Sequence, residues 1–321
     1  MKKTGLLLAL TLAVTVAVMQ AQSSSAADQP APAGAIVTNI NFPVESIVNP
    51  TKSDLECAGF VTKPVLPNST FVTGGLDTPN TTQYGDGDIV FLAGDSYELG
   101  KHYSIVRELR DPNRYEEFDG QDAMLKAMGQ PYAELAIVRV VDKRNKSAIA
   151  HIEFSCAPVV PGDIVTTYVE RSPLPHHAPL RFDRFAPPNG KPSGRIVMAK
   201  DFDAELGTGM KVYMNLGTNQ GIKVGDYFRA VRSYEADLRN PVDSLSFKAS
   251  TAEDTQAKPP AIEPNLLTET HGGPVVHVAS LPRRAVGELV VLETTPTTST
   301  GMIVFAMEDL HLGDGVELDP Q

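Results

Sequence analysis

Asp88-Ile-Val-Phe-Leu-Ala-Gly94 and Gly100-Lys-His-Tyr-Ser-Ile-Val-Arg107 are answered later in the chain by Met210-Lys-Val-Tyr-Met-Asn-Leu-Gly217 and Gly225-Asp-Tyr-Phe-Arg-Ala-Val-Arg232. Each block alternates apolar and polar residues, is rich in Val, Ile, Tyr and Phe, and stops at glycine, which is strand chemistry. In both halves the second strand closes on Val-Arg. Working outward, Ala133-Glu-Leu-Ala-Ile-Val-Arg-Val-Val141 matches Gly287-Glu-Leu-Val-Val-Leu292, and Ser147-Ala-Ile-Ala-His-Ile152 matches Ser299-Thr-Gly-Met-Ile-Val304. Pro161-Gly-Asp-Ile-Val165 matches Leu312-Gly-Asp-Gly-Val316, and Ala58-Gly-Phe-Val61 matches Gly194-Arg-Ile-Val197. Self-similarity of this kind marks a duplicated unit.

The chain is therefore expected to be all-β, with two small β-barrel or sandwich modules over 36–170 and 194–321. One short helix is expected, over Gln121–Met128. Residues 171–193 are proline-rich and poor in aliphatic side chains, an extended linker by composition. The stretch near 236–284 is polar and proline-punctuated, and is expected to be a disordered insertion in the second module.

Lys2 and Lys3, an apolar run from Gly5 to Met19 and small residues up to Ala27 have the layout of a cleavable signal peptide over 1–27. The run is shorter than the roughly 20 residues a spanning helix needs. Residues 28–35 follow as a flexible leader. A periplasmic or secreted protein is expected, free of the membrane once cleaved, and no Cys near the cleavage region offers a lipid anchor. The formal charge of −11 argues against nucleic acid as a partner.

Cys57 and Cys156 are the only cysteines. In an exported chain they are expected to form a disulfide, which would bring the first and last strands of module one side by side. Closing a loop of about 100 residues contributes up to ~4.7 kcal/mol in the chain-entropy account. His151 is the one local base for a catalytic thiol, and its apolar, alternating surroundings fit a strand residue instead.

Gly217, Gly221, Gly225 and Asp226 lie in Gly-Thr-Asn-Gln-Gly-Ile-Lys-Val-Gly-Asp, which leads into a strand, whereas a phosphate-cradling loop leads into a helix. These glycines and Asn219 are expected to supply left-handed positions in a turn. Gly162-Asp163 and Gly313-Asp314 repeat the same step. His176 and His177 in the linker, and Asp86, Asp88 and Asp95, fit solvated positions better than metal ligands. No Gly-x-Ser-x-Gly or His-Glu-x-x-His occurs, so no catalytic residue, metal or cofactor is assigned.

In order, Asp88-Ile-Val-Phe-Leu, Tyr103-Ser-Ile-Val-Arg107, Asp111-Pro112, Gly129, Ala133–Val138 and Gly162-Asp-Ile-Val165 resemble the region that follows the lysin motif in bacterial LysM cell-envelope proteins. The lysin motif itself is missing from this chain, so its glycan binding does not carry over. Val212–Asp226 resembles the C-terminal domain of the flagellar assembly protein T family. Both resemblances imply envelope location and a structural or binding role without catalysis, with envelope proteins or peptidoglycan as partners. An accessory role in a flagellar or other envelope machine is one alternative. An envelope-polymer hydrolase is another, and it requires two facing carboxylates in one cleft.

Overall fold

The computed structural model describes residues 47–112, 115–144, 146–175, 182–233, 255–256, 276–277 and 282–319. The expected signal peptide and leader, most of the expected insertion near 236–284, and His176 and His177 lie outside the described residues. The first strand run comprises β1 (Phe60–Thr62), β2 (Phe71–Gly75), β3 (Ile89–Ala93), β4 (His102–Glu108), β5 (Gln130–Arg144), β6 (Ser147–Ser155) and β7 (Ile164–Thr167). The second comprises β8 (Ser193–Ala199), β9 (Glu205–Leu206), β10 (Lys211–Met214), β11 (Tyr227–Arg232), a short pair β12 (Thr255–Gln256) and β13 (Val276–His277), then β14 (Arg284–Thr294), β15 (Ser299–Ala306), β16 (Leu310–His311) and β17 (Gly315–Leu318). Among the described residues there are two α-helices, α1 (Lys52–Glu56) and the expected α2 (Gln121–Met128).

Both runs close into antiparallel six-stranded barrels. Around the first the order is β2-β3-β6-β5-β4-β7, and around the second β8-β10-β15-β14-β11-β17. These are the same ring, so the duplication is one of topology as well as of sequence. Closure answers the barrel-or-sandwich question and leaves neither ring with an open edge. Each interior is filled by the inward half of an alternating pattern, Val90, Leu92, Val138, Val140, Ala150 and Ile152 in barrel 1 and Val212, Met214, Leu289, Val291 and Ile303 in barrel 2.

Backbone bonds fix which residues correspond. Gly87 N–H donates to Ile152 O at 2.9 Å, and Gly209 N–H donates to Ile303 O at 2.7 Å. Gly100 bonds Val140 as Gly225 bonds Val291, and Gly162 bonds Val72 as Gly313 bonds Ile196. All six glycines have φ between 80° and 99°, in the left-handed region that glycine occupies at no steric cost.

This register corrects three matches made from sequence. The counterpart of β8 is β2, not the Ala58–Val61 segment. Ile152 corresponds to Ile303 and not Val304, a slip of one residue. Ile137, not Glu134, stands where barrel 2 has Glu288, because each is opposite the equivalent residue of the neighbouring strand (Ser104 and Arg229). Two further expectations change. Gly221 has φ +82°, but Gly217 is extended at φ −147°, and Asn219 sits in a 3-10 turn. Gly217 is needed for space: a Cβ there would lie 2.3 Å from Thr295 O.

The Val-Arg and Gly-Asp motifs meet in both barrels. Arg107 donates Nε–H and Nη2–H to the two carboxylate oxygens of Asp163 at 2.7 and 2.8 Å. Arg232 grips Asp314 in the same way at 2.8 and 2.7 Å. Each aspartate also accepts the N–H three residues before it, from Val160 and His311. Each arginine also reaches the carbonyl five residues before that aspartate, Pro158 and Asp309. The environments differ: Arg232 and Asp314 are 6% and 3% exposed, whereas Arg107 is 40% exposed. Asp314→Ala is therefore expected to cost about 3–5 kcal/mol, because a buried guanidinium loses its main partner. Asp163→Ala is expected to cost about 1–3 kcal/mol, since Arg107 can turn to water. Urea unfolding of the two variants checks the order, and equal losses would contradict it.

Candidate functional site

The most heavily built place outside the barrel interiors is the junction between them. It begins with Thr51-Lys-Ser-Asp54, where Thr51 Oγ1 accepts from Asp54 N and the Asp54 carboxylate accepts from Thr51 N, a capping box that starts α1. Cys57 ends α1 and is bonded to Cys156, with Cα atoms 5.6 Å apart. The bond joins a helix end to the end of β6, not two strands side by side as expected, and β1 pairs with β5.

Fastened to barrel 1 in this way, residues 47–62 lie across the outside of barrel 2. Leu55, Ala58 and Val48 pack on Val290, Leu292, Met302 and Val304. Val48 N–H donates to Val304 O at 2.9 Å. Thr300 and Thr298 donate to the carbonyls of Gly59 and Val61, each at 2.7 Å. Lys200 donates to Cys57 O at 2.7 Å, and Lys211 to Asp54 at 2.9 Å. Burial works against the Asp54 carboxylate, yet Lys211 and Thr51 hold it below the usual carboxylate value. Burial, with Lys211 alongside, lowers the Lys200 ammonium.

A second contact comes from the β4–β5 connection. Phe118 and Met128 enter the core cluster of barrel 2, and Phe118 sits so close to Gly313 that a Cβ there would meet its ring at 2.9 Å. Gln121 Nε2–H donates to Val197 O at 2.9 Å.

Arg171 is the centre of the junction. Its guanidinium donates to Glu134 through Nη1 and Nη2 at 2.9 and 2.6 Å, to Glu293 of barrel 2 through Nε at 2.9 Å, and to Leu55 O at 2.7 Å. Glu293 lies 2.8 Å from Nη2 as well. Four of its five N–H groups therefore make hydrogen bonds. Burial raises the Glu134 carboxyl, and the Arg171 pair and Gly59 N–H oppose that rise. Beside it Tyr168 donates to Glu56 at 2.9 Å, and burial, with the Glu56 bond, pushes its phenol up to about 12.

Two open hollows flank Tyr168. One, of about 350 Å³, lies over Arg171 between Phe60, Leu66, Thr166, Val169 and Pro296. The other, of about 450 Å³, is bordered by His102, Glu153 and Glu170. The facing acids that a hydrolase requires meet here as Glu134 and Glu293, but both grip Arg171. Glu134 accepts three hydrogen bonds, two from Arg171 and one from Gly59 N–H, and Glu293 meets Arg171 through one oxygen, so both serve as counter-ions of the guanidinium.

The residues singled out from sequence do not gather at this junction as a site. Gly162-Asp163 and Gly313-Asp314 are halves of the two Arg–Asp clamps. Gly217, Gly221, Gly225 and Asp226 shape the turn into β11, where Asp226 accepts from Lys223 N–H at 2.8 Å. Asp88 caps a turn by accepting from Gly85 N–H. Among the described residues no three His, Cys, Asp or Glu side chains converge as a metal would need, and no helix is long and apolar enough to cross a membrane. Arg171, Tyr168, Lys200 and Lys211 were not found from sequence. Only α1 carried a local signal, the Thr51–Asp54 spacing. Comparison with protein-family models and with curated proteins returns no match.

Removing Arg171 leaves Glu134 buried without its counter-charge. Arg171→Met is expected to lower stability by about 3–5 kcal/mol, and Glu134→Met added to it to recover most of that loss. Chemical denaturation of both variants measures this, and a double variant no better than the single one would contradict it.

On barrel 2, burial first and then Asp319 push the Glu288 carboxyl up to about 7, with Arg229 opposing. A folded-state value above the unfolded one means that the folded protein binds this proton more tightly. The stabilising contribution is complete below about 4.5 and is lost as pH rises through about 7. Glu288→Gln should therefore raise Tm by roughly 2–4 °C at pH 8, about 1 kcal/mol, and leave it unchanged near pH 4.5. A gain of the same size at both pH values would refute the assignment.

Proposed function

We propose that this chain is an exported, non-catalytic cell-envelope protein whose paired barrels act as a binding scaffold for envelope proteins or peptidoglycan. The observation that supports this reading is the junction. Residues 47–62, the β4–β5 connection and Arg171 hold the barrels together by apolar packing, a buried ion cluster and one disulfide, and the carboxylates of that cluster are engaged by Arg171. A scaffold needs a fixed relation between its surfaces, and this junction supplies one. The Cys57–Cys156 bond suits an oxidising compartment. The LysM-associated order of motifs and the flagellar-type turn in barrel 2 lead to the same compartment by resemblance.

Fractionation of cells expressing the full chain, followed by sedimentation of the mature protein with purified sacculi and a pull-down from envelope extract, tests the reading. The expected outcome is a chain shortened near residue 27 in the periplasmic or secreted fraction, recovered with sacculi or in a defined envelope complex. Recovery in a complex without sacculi would favour the machine-accessory alternative. An unshortened cytoplasmic chain, or a mature one recovered with neither, would count against the proposal.

A further inference from the structure

The hollow on the His102 side of Tyr168 is walled by carboxylates that the junction does not use up. At about 450 Å³ it lies within the size range of small-molecule sites. Glu56 comes to it from α1, His102 from β4, Ile137 from β5, Glu153 and Phe154 from β6, and Tyr168 and Glu170 from the stretch after β7. The Cys57–Cys156 bond brings α1 to the end of β6 and so completes the wall.

The three carboxylates differ. Glu153 is satisfied, because Arg139 and His102 donate to its two oxygens. Glu56 is not. Its side chain is 2% exposed, and Oε1 accepts from Tyr168 at 2.9 Å. Oε2 has only Arg171 Nη1, which stands 4.0 Å away and donates to Leu55 and Glu134 instead. A buried acceptor left without a donor costs free energy that a donor can recover. Glu170, exposed at the rim, accepts no hydrogen bond among the described residues. Nor do cations balance these acids. Lys52 at the rim is exposed and pairs with none of them, while Arg139 is committed to Glu153 and Arg171 to Glu134 and Glu293.

Excess carboxylate selects a cation, and the walls narrow its kind. No three ligating side chains converge among the described residues as a metal needs. Ile137, Phe154 and the rings of His102 and Tyr168, 6.0 Å apart edge to face, supply apolar surface that suits an alkyl chain. The unfilled acceptors call for N–H donors, of which a primary ammonium has three and a quaternary one has none. An ammonium at Glu56 also lies beside the Tyr168 ring, whose face attracts positive charge.

We propose that this hollow binds a primary alkylammonium group, with its N–H donors on Glu56 Oε2 and Glu170 and its alkyl chain against Ile137 and Phe154. A free diamine and the lysine side chain of a polypeptide both carry that group. The proposal goes beyond the scaffold reading and does not depend on export.

Equilibrium dialysis of cadaverine against the full-length oxidised protein tests it. Saturable binding is expected, weakened about tenfold by Glu56→Gln and unchanged by Glu205→Gln, a solvent-exposed acid in β9. Lys52→Gln, which removes a competing ammonium, is expected to tighten it. If Glu56→Gln fails to fold, Glu170→Gln at the exposed rim takes its place. Nα-acetyl-lysine amide used in parallel separates the sources: tighter binding than cadaverine assigns the site to a polypeptide lysine, weaker binding to a small diamine. No saturable binding up to about 1 mM cadaverine, or binding that ignores both the Glu56 and Glu170 variants, would overturn the proposal. So would equal displacement by tetramethylammonium, or an equal loss with Glu205→Gln, since net charge alone would then account for the binding.

Discussion

In each barrel a guanidinium near the end of one strand grips a carboxylate just before the neighbouring strand with two hydrogen bonds, at the point where the ring shuts. Arg107 is the penultimate residue of β4 and Asp163 precedes β7; Arg232 ends β11 and Asp314 precedes β17. The aspartate backbone in turn accepts from Val72 or Ile196, the first bond across to β2 or β8. One ion pair therefore sets the spacing of three consecutive strands at the point where the ring must shut. The bidentate fork is also demanding in direction, which a single ammonium would not be. The glycine before each aspartate is part of the same device, because only a left-handed turn aims the carboxylate back at the arginine.

Identical rings do not make identical surfaces, and the differences lie mainly at the contacts between them. Gly162 has open space before it, while Gly313 is covered by Phe118. Thr73 of β2 is exposed, while its counterpart Val197 is buried under the β4–β5 connection. A duplicated barrel that remained free would keep polar residues at such places. Barrel 2 carries an apolar residue at the Val197 position and is covered there by barrel 1.

Much of this was legible before the structure. Strand blocks, the duplication, α2, the paired cysteines and the two recurring motifs are local features, and local features survive in sequence. Register did not survive. β6 was matched to β15 one residue out and β5 to β14 three residues out, because Glu134-Leu135 looks like Glu288-Leu289 and alternating Val, Ile and Ala tolerate any shift. Odd slips exchange the inward and outward faces of a strand, so the surface at the junction was beyond reach even where the strands were right. Arg171 was hidden for a different reason. It lies at the edge of a proline-rich stretch whose composition describes a linker, and its partners, Glu134 and Glu293, are 37 and 122 residues away.

The junction also bears on why a polar cluster was kept where an apolar one would hold as well. Apolar packing between Leu55 or Phe118 and barrel 2 is non-directional and tolerates sliding. Arg171 does not: its four hydrogen bonds form together only when Glu134 of barrel 1, Glu293 of barrel 2 and the Leu55 carbonyl converge on the guanidinium. A buried ion pair is weak evidence for stability, and its best-attested use is to fix register. Here it would fix one orientation between two rings that are otherwise the same. In a molecule built from a repeated unit, the likeness of the units makes wrong docking easy, so the price of desolvating one arginine and two glutamates is offset by a single arrangement of barrels.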